Sequence, residues 1–318
     1  MATTMTKKAM MKAVQIHSFG GPEVLRFEDI PKPEPGAGQL LVRVRAAGVN
    51  PVDWKIREGH LGKIPLPSIL GVDFSGVVDA LGPGAHEFSE GQEVFGQVAD
   101  ESGSYAEYAL APEQNVARKP GALDPIQAAS LPVAALVAWQ ALFDAAHLQP
   151  SQTLLVHAAA GGVGAFAVQF GKWKGARVIG TASASSLGYV RSLGADHVID
   201  YKAQRFEEVV RDVDVVLDTV GGETQDRSWR ALKRGGFLAS LVQPPSPEKA
   251  KTSGARGQMV IQKPNGQQLT EIAALVVDGK VTVKVEKTFP LREARQAQDL
   301  SQSGHAHGKI VLLPQGEE

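Results

Sequence analysis

The segment HAAAGGVGAFAVQFGK, residues 157–172, places three glycines within four residues, between an apolar run and a stretch with helical character. The apolar run, residues 153–157, predicts a strand, so the order is strand, glycine turn, helix. This order suits a pyrophosphate, because glycines let the backbone approach the ligand and a helix N-terminus offers free N–H groups. Ala159 stands where the usual dinucleotide motif has its first glycine. A glycine turn that only packs a helix closely on a sheet would look the same, so both interpretations stay open on the motif alone.

Strand-like and helix-like segments alternate after this loop. Apolar runs at residues 177–181, 197–200, 213–218, 236–242 and 258–261 predict strands. Alternation of this kind indicates a parallel sheet that is covered by helices on both faces, with right-handed crossovers. We therefore predict a doubly wound α/β domain.

Two further segments of this region have their own signals. Residues 126–143 are rich in Ala and Leu and predict a helix that Pro132 breaks or kinks. Residues 242–257 begin with several prolines and predict a mobile loop.

The first third of the chain has a different character. Short runs at residues 40–45, 76–80 and 93–97 are separated by Gly and Pro, which predicts a compact, barrel-like β module. The tail predicts a helix at 269–277, a strand at 281–289, a helix through Leu300 and a last strand at 309–313, and we expect it to complete the first module. The expected domains are residues 1–124 with 264–318, and residues 125–263.

Composition excludes several classes of function. The 318 residues include 33 Lys plus Arg and 34 Asp plus Glu, which gives no reason to expect nucleic acid or an acidic membrane as a partner. The chain has no cysteine, so disulfides, thiolate metal sites and a cysteine nucleophile are excluded. The N-terminus lacks the apolar core of a signal peptide, and no window approaches the roughly 18 apolar residues of a membrane span. We expect a cytoplasmic enzyme, with a frayed leader before about Met11.

The end of the second predicted strand indicates which dinucleotide is bound. An NAD-specific site places Asp or Glu about 20 residues beyond the glycines, to hold the ribose 2′-hydroxyl. Here that position holds Ser183, and Arg191, Lys202 and Arg205 lie near enough in sequence to supply positive charge. This pattern favours NADPH over NADH. The alternative is that Ser183 and the serines after it only cap the following helix.

Seven short motifs occur in the order seen in one known family. They are Ala47–Asp53, Pro67–Val78, Gly103–Tyr108, Ala129–Pro132, Ala159–Gly164, Leu193–Asp196 and Gly308–Val311. With these motifs the chain resembles the zinc-free quinone oxidoreductase (zeta-crystallin-like) branch of the medium-chain dehydrogenase/reductase superfamily. The resemblance implies a GroES-like β-barrel catalytic domain, a Rossmann domain and an active site in the cleft between them. We also expect a homodimer.

The resemblance also implies which residues contact the cofactor, NADPH. The pyrophosphate loop would be Ala160, Gly161, Gly162, Val163 and Gly164. Ser183 and Tyr201 match positions near the adenosine and its 2′-phosphate, Val242 and Gln243 match the nicotinamide end, and Lys309 lies in a C-terminal motif often close to the cofactor. One departure is Val137, where many relatives have a Thr that contacts the cofactor.

Comparison with the zinc alcohol dehydrogenases of the same superfamily argues against a metal. The positions that match their catalytic zinc ligands are Asn50, Val72 and Val133, and valine cannot bind zinc. Val52 matches their proton-relaying hydroxyl. Zinc-dependent alcohol oxidation is therefore not expected. A short-chain dehydrogenase is excluded as well, because no Tyr is followed by Lys four residues later.

The segment Asn50–Arg57 is the candidate for catalysis. Hydride transfer to a quinone or an enone builds negative charge on the carbonyl oxygen, so a hydrogen-bond donor there would help. Asn50 offers amide N–H groups, Lys55 a charged donor, and Asp53 could orient either one or the cofactor. Lys55 could equally be a solvated surface lysine. An extended segment would place Lys55 and Arg57 on the same face, whereas a helical turn would separate them.

Two histidine features have simpler explanations than catalysis or metal binding. The pair His305 and His307 has no third ligand in sight, so we expect a surface turn. His157, at the end of a buried strand, is expected to be a structural hydrogen-bonding residue. The predicted function is NADPH-dependent reduction of quinones or enones by hydride transfer, and the alternative is an NADPH-binding structural or sensor protein with little turnover.

Overall fold

The computed structural model describes residues 9–62, 64–304 and 306–314. The expected leader falls mostly on residues 1–8, and His305 of the histidine pair is also outside the described residues. The chain divides into two compact units. The first contains the residues up to Val133, Pro264–Val277 and the residues from Val283 onward; the second contains Ala134–Lys263 and Asp278–Thr282.

The N-terminal part of the first unit is made mainly of short strands, as the Gly and Pro punctuation predicted. Its strands are β1 (Met10–Ile16), β2 (Leu25–Pro31), β3 (Gln39–Val49), β4 (Ser68–Ile69), β5 (Asp73–Leu81), β6 (Glu93–Gln97), β7 (Tyr108–Pro112) and β8 (Val116–Arg118). Its helices are α1 (Pro51–Arg57) and α2 (Pro125–Ala129). The chain enters the second unit within helix α3 (Pro132–Trp139), which begins at the proline expected to break the 126–143 segment, and a π-helical stretch, Gln140–Ala145, follows it.

The second unit alternates strands and helices. Its strands are β9 (Thr153–Val156), β10 (Arg177–Ala182), β11 (His197–Asp200), β12 (Val213–Asp218), β13 (Leu232–Ser240) and β14 (Arg256–Met259). Its helices are α4 (Gly162–Trp173), α5 (Leu187–Ser192), α6 (Phe206–Val209), α7 (Gly222–Ser228) and α8 (Pro247–Ser253). The strands pair in parallel in the order β11-β10-β9-β12-β13-β14, which is the 3-2-1-4-5-6 order of dinucleotide-binding Rossmann folds.

Two local expectations in the second unit are wrong. The segment 242–257 is not an irregular loop throughout, because it contains α8, where Ser246 Oγ accepts a hydrogen bond from Lys249 N at 3.3 Å. The last strand of this sheet, β14, ends at Met259 rather than at Ile261. The prolines of residues 242–257 do not prevent α8, because proline also favours the first turn of a helix.

The tail returns to the first unit, as expected. Helix α9 (Gly266–Val277), strand β15 (Val285–Pro290), helix α10 (Ala294–Ser303) and strand β16 (Lys309–Leu313) complete it. The strand predicted at 281–289 begins later, at Val285. The order β15-β16-β3-β5-β6-β8 forms the main sheet, with β7 also paired to β3, and β2-β1-β4 forms a small separate sheet. The chain thus has a GroES-like β domain and a Rossmann domain.

Register in the main sheet brings distant residues together at one edge. Val49 pairs with Ile310 and Gly48 pairs with Asp73. The residues at this edge are therefore Asn50, just after β3, Asp73 at the start of β5 and Lys309 at the start of β16. Beneath them lies an apolar core that includes Val44, Phe74 and Leu312.

Candidate active site

The glycine loop joins β9 to α4. Gly161 is the N-cap of α4, has an extended conformation (φ −74°, ψ 171°), and no side chain of the described residues caps the helix there. The first N–H groups of an α-helix have no intrahelical partner, so this terminus can bind an anion. All five predicted loop residues lie in this turn and in the first turn of α4: Ala160, Gly161, Gly162, Val163 and Gly164.

Gly164 has a second role, in packing. A Cβ added to Gly164 would lie 2.3 Å from Ala158 O and 2.8 Å from Ala159 Cα, so a side chain does not fit there. A Cβ on Gly161 would meet only Ala158 O, at 3.3 Å. The two interpretations left open by the sequence therefore apply to different glycines: Gly164 lets the helix approach the turn, whereas Gly161 leaves the helix N-terminus accessible.

His157 fixes the base of this loop. It is fully buried, with Nδ1 3.2 Å from Thr181 Oγ1 and Nε2 2.9 Å from Ser228 Oγ. Ser228 donates its own hydroxyl hydrogen to Thr224 O at 2.7 Å, so it accepts from His157 Nε2–H, and Nδ1 accepts from Thr181. Burial lowers the pKa of His157 to about 4, which keeps the ring neutral. The prediction of a structural hydrogen-bonding role is confirmed.

The residues predicted to lie near the adenosine meet at the carboxyl edge of the parallel sheet. Ser183 follows β10, and its Oγ lies 3.1 Å from both Ser185 Oγ and Ser186 Oγ. Tyr201 follows β11, donates its backbone N–H to Ala182 O at 3.2 Å, and has a 56% exposed side chain. No side-chain cap bond is formed at Ser183 within the described chain, so helix capping does not explain this serine.

The cations named from sequence differ in availability. Lys202 is exposed, with Nζ 6.0 Å from the centroid of the Tyr201 ring. Arg205 forms ion pairs with two residues of α6, because its Nε lies 2.9 Å from Glu207 Oε1 and 3.4 Å from Glu208 Oε1. Arg191 is exposed on α5. Lys202 is thus the cation that directly follows Tyr201 at the ligand edge.

The predicted nicotinamide-end residues lie beyond β13. Val242 is 37% exposed. Gln243 Oε1 accepts from Gly222 N at 3.1 Å and its Nε2 donates to Gln225 Oε1 at 3.2 Å. Gln225 in turn donates to Asp218 Oδ2 and Ser240 Oγ, both at 3.0 Å. The sequence analysis missed this network, which fixes the ends of β12 and β13. Val137 is buried on α3.

A buried polar cluster occupies the edge of the main sheet in the first unit. Its members are Asn50, Asp53, Asp73, Tyr105 and Lys309, each at most 5% exposed. Asn50 Nδ2 donates to Asp73 Oδ2 at 2.9 Å, and Lys309 Nζ donates to Asn50 Oδ1. Lys309 Nζ also lies 3.8 Å from Asp73 Oδ2. Lys309, predicted from the resemblance to lie near the cofactor, is thus placed among the predicted catalytic residues.

Asp53 is held on one side only. Its Oδ2 accepts from Asn50 N at 2.7 Å and from the Tyr105 hydroxyl at 2.8 Å. Its Oδ1 is buried without a hydrogen-bond partner among the described residues. Burial raises the pKa of Asp53 to about 7 and raises the pKa of Asp73, while burial lowers the pKa of Lys309. The cluster contains two carboxyl groups and one amine, so a proton on Asp53 balances its charge.

Helix α1 separates the two cations of the candidate catalytic segment. Arg57 is fully buried and donates to Gln298 Oε1 at 2.7 Å and to Gly20 O at 3.1 Å. Lys55 is half-buried, with Nζ 5.6 Å from the Trp54 ring centroid, and it forms no ion pair with any residue that the structure describes. Because the segment is helical, the open question is answered: the two side chains leave α1 in different directions, and Arg57 is a structural residue.

The residues that match the zinc-ligand positions, Asn50, Val72 and Val133, offer at most one weak metal donor, the Asn50 amide oxygen. Asp73 connects these positions: it follows Val72 in the chain, its Oδ1 accepts from Val133 N at 3.0 Å, and its Oδ2 accepts from Asn50 Nδ2 at 2.9 Å. Within the described ranges, no group of three or more His, Cys, Asp or Glu side chains is arranged to hold a metal ion. In the same ranges, no helix is both long and apolar enough to cross a bilayer.

A Rossmann sheet with an open glycine loop, together with a GroES-like β domain, defines a dinucleotide-binding protein of the dehydrogenase class. Comparisons with known proteins agree with this assignment. Residues 36–121 match the family model of the alcohol dehydrogenase GroES-like domain, and residues 193–312 match that of a zinc-binding dehydrogenase.

Whole-chain relatives give the family. An NADPH-dependent alkenal/one oxidoreductase, chloroplastic, of Arabidopsis thaliana is 34% identical, over 96% of this chain and 80% of the relative. A quinone oxidoreductase of Rattus norvegicus is 32% identical, over 97% and 99%. The solved quinone oxidoreductase of Coxiella burnetii is 36% identical, with a TM-score of 0.91 over 96% of this chain and 100% of that one. The chain belongs to the zinc-free quinone oxidoreductase branch of the medium-chain dehydrogenase/reductase superfamily.

Proposed function

We propose that this protein reduces quinones or α,β-unsaturated carbonyl compounds with NADPH, by hydride transfer and without zinc. The observation that carries this proposal is the accessible N-terminus of α4, held on the sheet by Gly164, with Ser183 rather than a carboxylate at the end of β10. The names of the relatives, an alkenal/one oxidoreductase and quinone oxidoreductases, support the same substrate class.

Each unit has its own task in this proposal. When bound, NADPH supplies the hydride. In the second unit, the α4 N-terminus would hold the pyrophosphate, and Ser183, Tyr201 and Lys202 would hold the adenosine end. Val242 and Gln243 remain the proposed residues at the nicotinamide end.

The first unit offers groups that can stabilise the reduced substrate. Negative charge develops on the carbonyl oxygen, so the Lys55 ammonium is the proposed donor. Asn50 is held by Asp73 and Lys309, which fixes the direction of its amide. The raised pKa of Asp53 lets its carboxyl group keep a proton near neutral pH, and we propose that Asp53 is the protonated group of this cluster. In this scheme Lys309 positions Asn50.

The test is a set of initial rates with NADPH against quinones, alkenals and cyclic enones. Turnover with at least one class, with one NADPH consumed per two electrons accepted, supports the proposal. Tight NADPH binding with negligible turnover across the whole set would instead favour the alternative, an NADPH-binding structural or sensor protein.

We also propose a homodimer that is formed through β14. All four residues of this strand are exposed, and in the described sheet β14 pairs only with β13, so one backbone edge is open to a second copy. Sedimentation would show the dimer, and a proline at Gln258 should weaken it.

A cysteine-free chain is compatible with the cytoplasmic location that we propose. The domain limits 1–124 with 264–318, and 125–263, also remain a proposal.

A further inference from the structure

Asp200 is the last residue of β11 and lies beside the predicted adenosine site. It pairs in register with Ala182, the last residue of β10, and neighbouring strands are about 4.8 Å apart. Ser183 directly follows β10 and Tyr201 directly follows β11, and Tyr201 N donates to Ala182 O at 3.2 Å. A carboxylate therefore flanks the site from the neighbouring strand, although the position of Ser183 itself has none.

The Asp200 side chain is on the face of the sheet that carries the glycine loop. A Cβ added to Gly180 would lie 2.8 Å from Ala159 Cβ, so residue 180 faces the loop. Side chains alternate along a strand, so Ala182 shares the face of Gly180, and its in-register partner Asp200 shares it too. Both the carboxyl edge of the sheet and the loop-facing side are where a dinucleotide lies in this fold.

The charge of Asp200 is not neutralised by a neighbour in the described part of the chain. Its Oδ1 accepts from Lys202 N at 3.0 Å, but no Lys or Arg side chain forms an ion pair with it there. The Lys202 ammonium lies toward the Tyr201 ring, and Arg205 is engaged by Glu207 and Glu208. A 2′-phosphate at this edge would therefore meet an uncompensated carboxylate.

We propose that Asp200 determines the balance between the two dinucleotides, by repelling the 2′-phosphate of NADPH and accepting a hydrogen bond from the 2′-hydroxyl of NADH. A NAD-specific fold carries this carboxylate at the end of its second strand, whereas here a carboxylate, Asp200, stands at the end of the third strand, β11. Its effect opposes that of Ser183 and Lys202, so the native preference for NADPH is smaller than these two residues alone would give. The inference rests on the proposed use of NADPH.

The test is Asp200→Asn, which removes the charge and keeps the Oδ1 acceptor for Lys202 N. Dissociation constants for NADPH and NADH are measured by fluorescence titration of the full chain. The ratio of the two constants should move toward NADPH by threefold to tenfold, which corresponds to about 0.7 to 1.4 kcal/mol. Adenosine 2′,5′-bisphosphate and 5′-AMP, used as competing ligands, should show the same shift, because they contain only the adenosine half.

Asp196→Asn is the matched control. Asp196 directly precedes the same strand at its other end, about 13 Å from Asp200, and forms an ion pair with Lys172 at 2.8 Å. The Asp196→Asn variant removes one carboxylate in the same way, but its ratio of NADPH to NADH dissociation constants should equal that of the native protein.

The outcomes separate this inference from the proposed function. A ratio that stays at the native value in Asp200→Asn, or moves toward NADH, overturns the inference while NADPH binding by the native protein stands. An equal shift in Asp196→Asn also overturns it, because a general change in net charge would then be the cause. Failure of the native protein to bind either dinucleotide would overturn the proposed function, and the inference with it.

Discussion

Tyr105 donates its hydroxyl hydrogen to Asp53 Oδ2 at 2.8 Å, on the oxygen that already accepts Asn50 N at 2.7 Å. The other oxygen, Oδ1, is buried and has no partner among the described residues. Both hydrogen bonds favour the ionised form of Asp53, so its raised pKa comes from burial, which outweighs them.

This arrangement predicts a pH-dependent stability. Burial raises the pKa of Asp53 from 3.8 to about 7, so the unfolded chain releases its proton at a lower pH than the folded chain. Stability from this group is full below the unfolded pKa and is lost as the pH rises to about 7. Asp53→Asn mimics the neutral acid, so between pH 5 and 7.5 its free energy of unfolding should gain about 2 to 3 kcal/mol on that of the native protein. Urea unfolding across this range measures the difference.

Asp278→Asn is the control for that experiment. Asp278 is exposed, so its carboxylate is in water in both the folded and the unfolded chain. The control should follow the native protein at every pH. Parallel stability curves for Asp53→Asn and the native protein would show that Asp53 is ionised throughout, and the account of the buried proton would then be wrong.

Ser183 predicts the cofactor preference. NADPH should bind at least tenfold more tightly than NADH, about 1.4 kcal/mol, because Ser183 does not repel a 2′-phosphate. Ser183→Asp should move the preference toward NADH. Ser192→Asp adds the same charge at an exposed position on α5 and should change the ratio little. Fluorescence titration measures the dissociation constants of both dinucleotides, and equal affinities of the native protein for NADPH and NADH would contradict the prediction.

The two glycines of the loop should respond differently to the same substitution. Gly164→Ala places a Cβ 2.3 Å from Ala158 O, so the helix must shift, and overpacking of this kind costs about 1 to 3 kcal/mol. Gly161→Ala meets Ala158 O only at 3.3 Å in an extended conformation, so its cost should be below about 1 kcal/mol. Thermal unfolding without cofactor compares them. Equal losses would mean that the close approach of α4 is not what requires Gly164.

The sequence predicted the fold well because its signals are local. A strand, three glycines and a helix occur in succession, and the alternation that follows indicates a parallel sheet; the strand order of the second unit confirms this prediction. The buried cluster could not be predicted in the same way. Asn50, Asp73 and Lys309 are distant in sequence, and only the pairing of Val49 with Ile310 and of Gly48 with Asp73 brings them together. Asn50 and Lys309 were singled out, but their contact depends on register, which a single sequence does not specify.

Metal independence is a further prediction. Asn50, Val72 and Val133 provide at most one weak donor among them, so chelator treatment should leave the activity unchanged. Elemental analysis of the purified protein should find far less than one zinc ion per chain. Stoichiometric zinc that is lost together with activity would contradict the prediction.

Lys55 is the cation of α1 that is available to a substrate. Arg57 is fully buried and donates to Gln298 and Gly20, whereas Lys55 forms no ion pair in the described chain. Lys55→Ala should lower kcat for enones about tenfold to a hundredfold, near 1.4 to 2.7 kcal/mol of transition-state stabilisation. Quinones should lose less, because their reduced oxygen is less basic. Steady-state kinetics with saturating NADPH measure both effects.

Lys55→Arg tests whether charge is what matters at this position. Arginine keeps a cationic donor on the same helix, so it should recover a large part of the enone kcat that alanine loses. NADPH affinity should be nearly unchanged in both variants, because the proposed role of Lys55 is to donate to the substrate oxygen and not to bind the cofactor. Full kcat in Lys55→Ala with every accepted substrate would show that Lys55 is a surface residue. The oxygen of the substrate would then receive its hydrogen bonds from other groups or from water, and catalysis would depend chiefly on how the cofactor is presented.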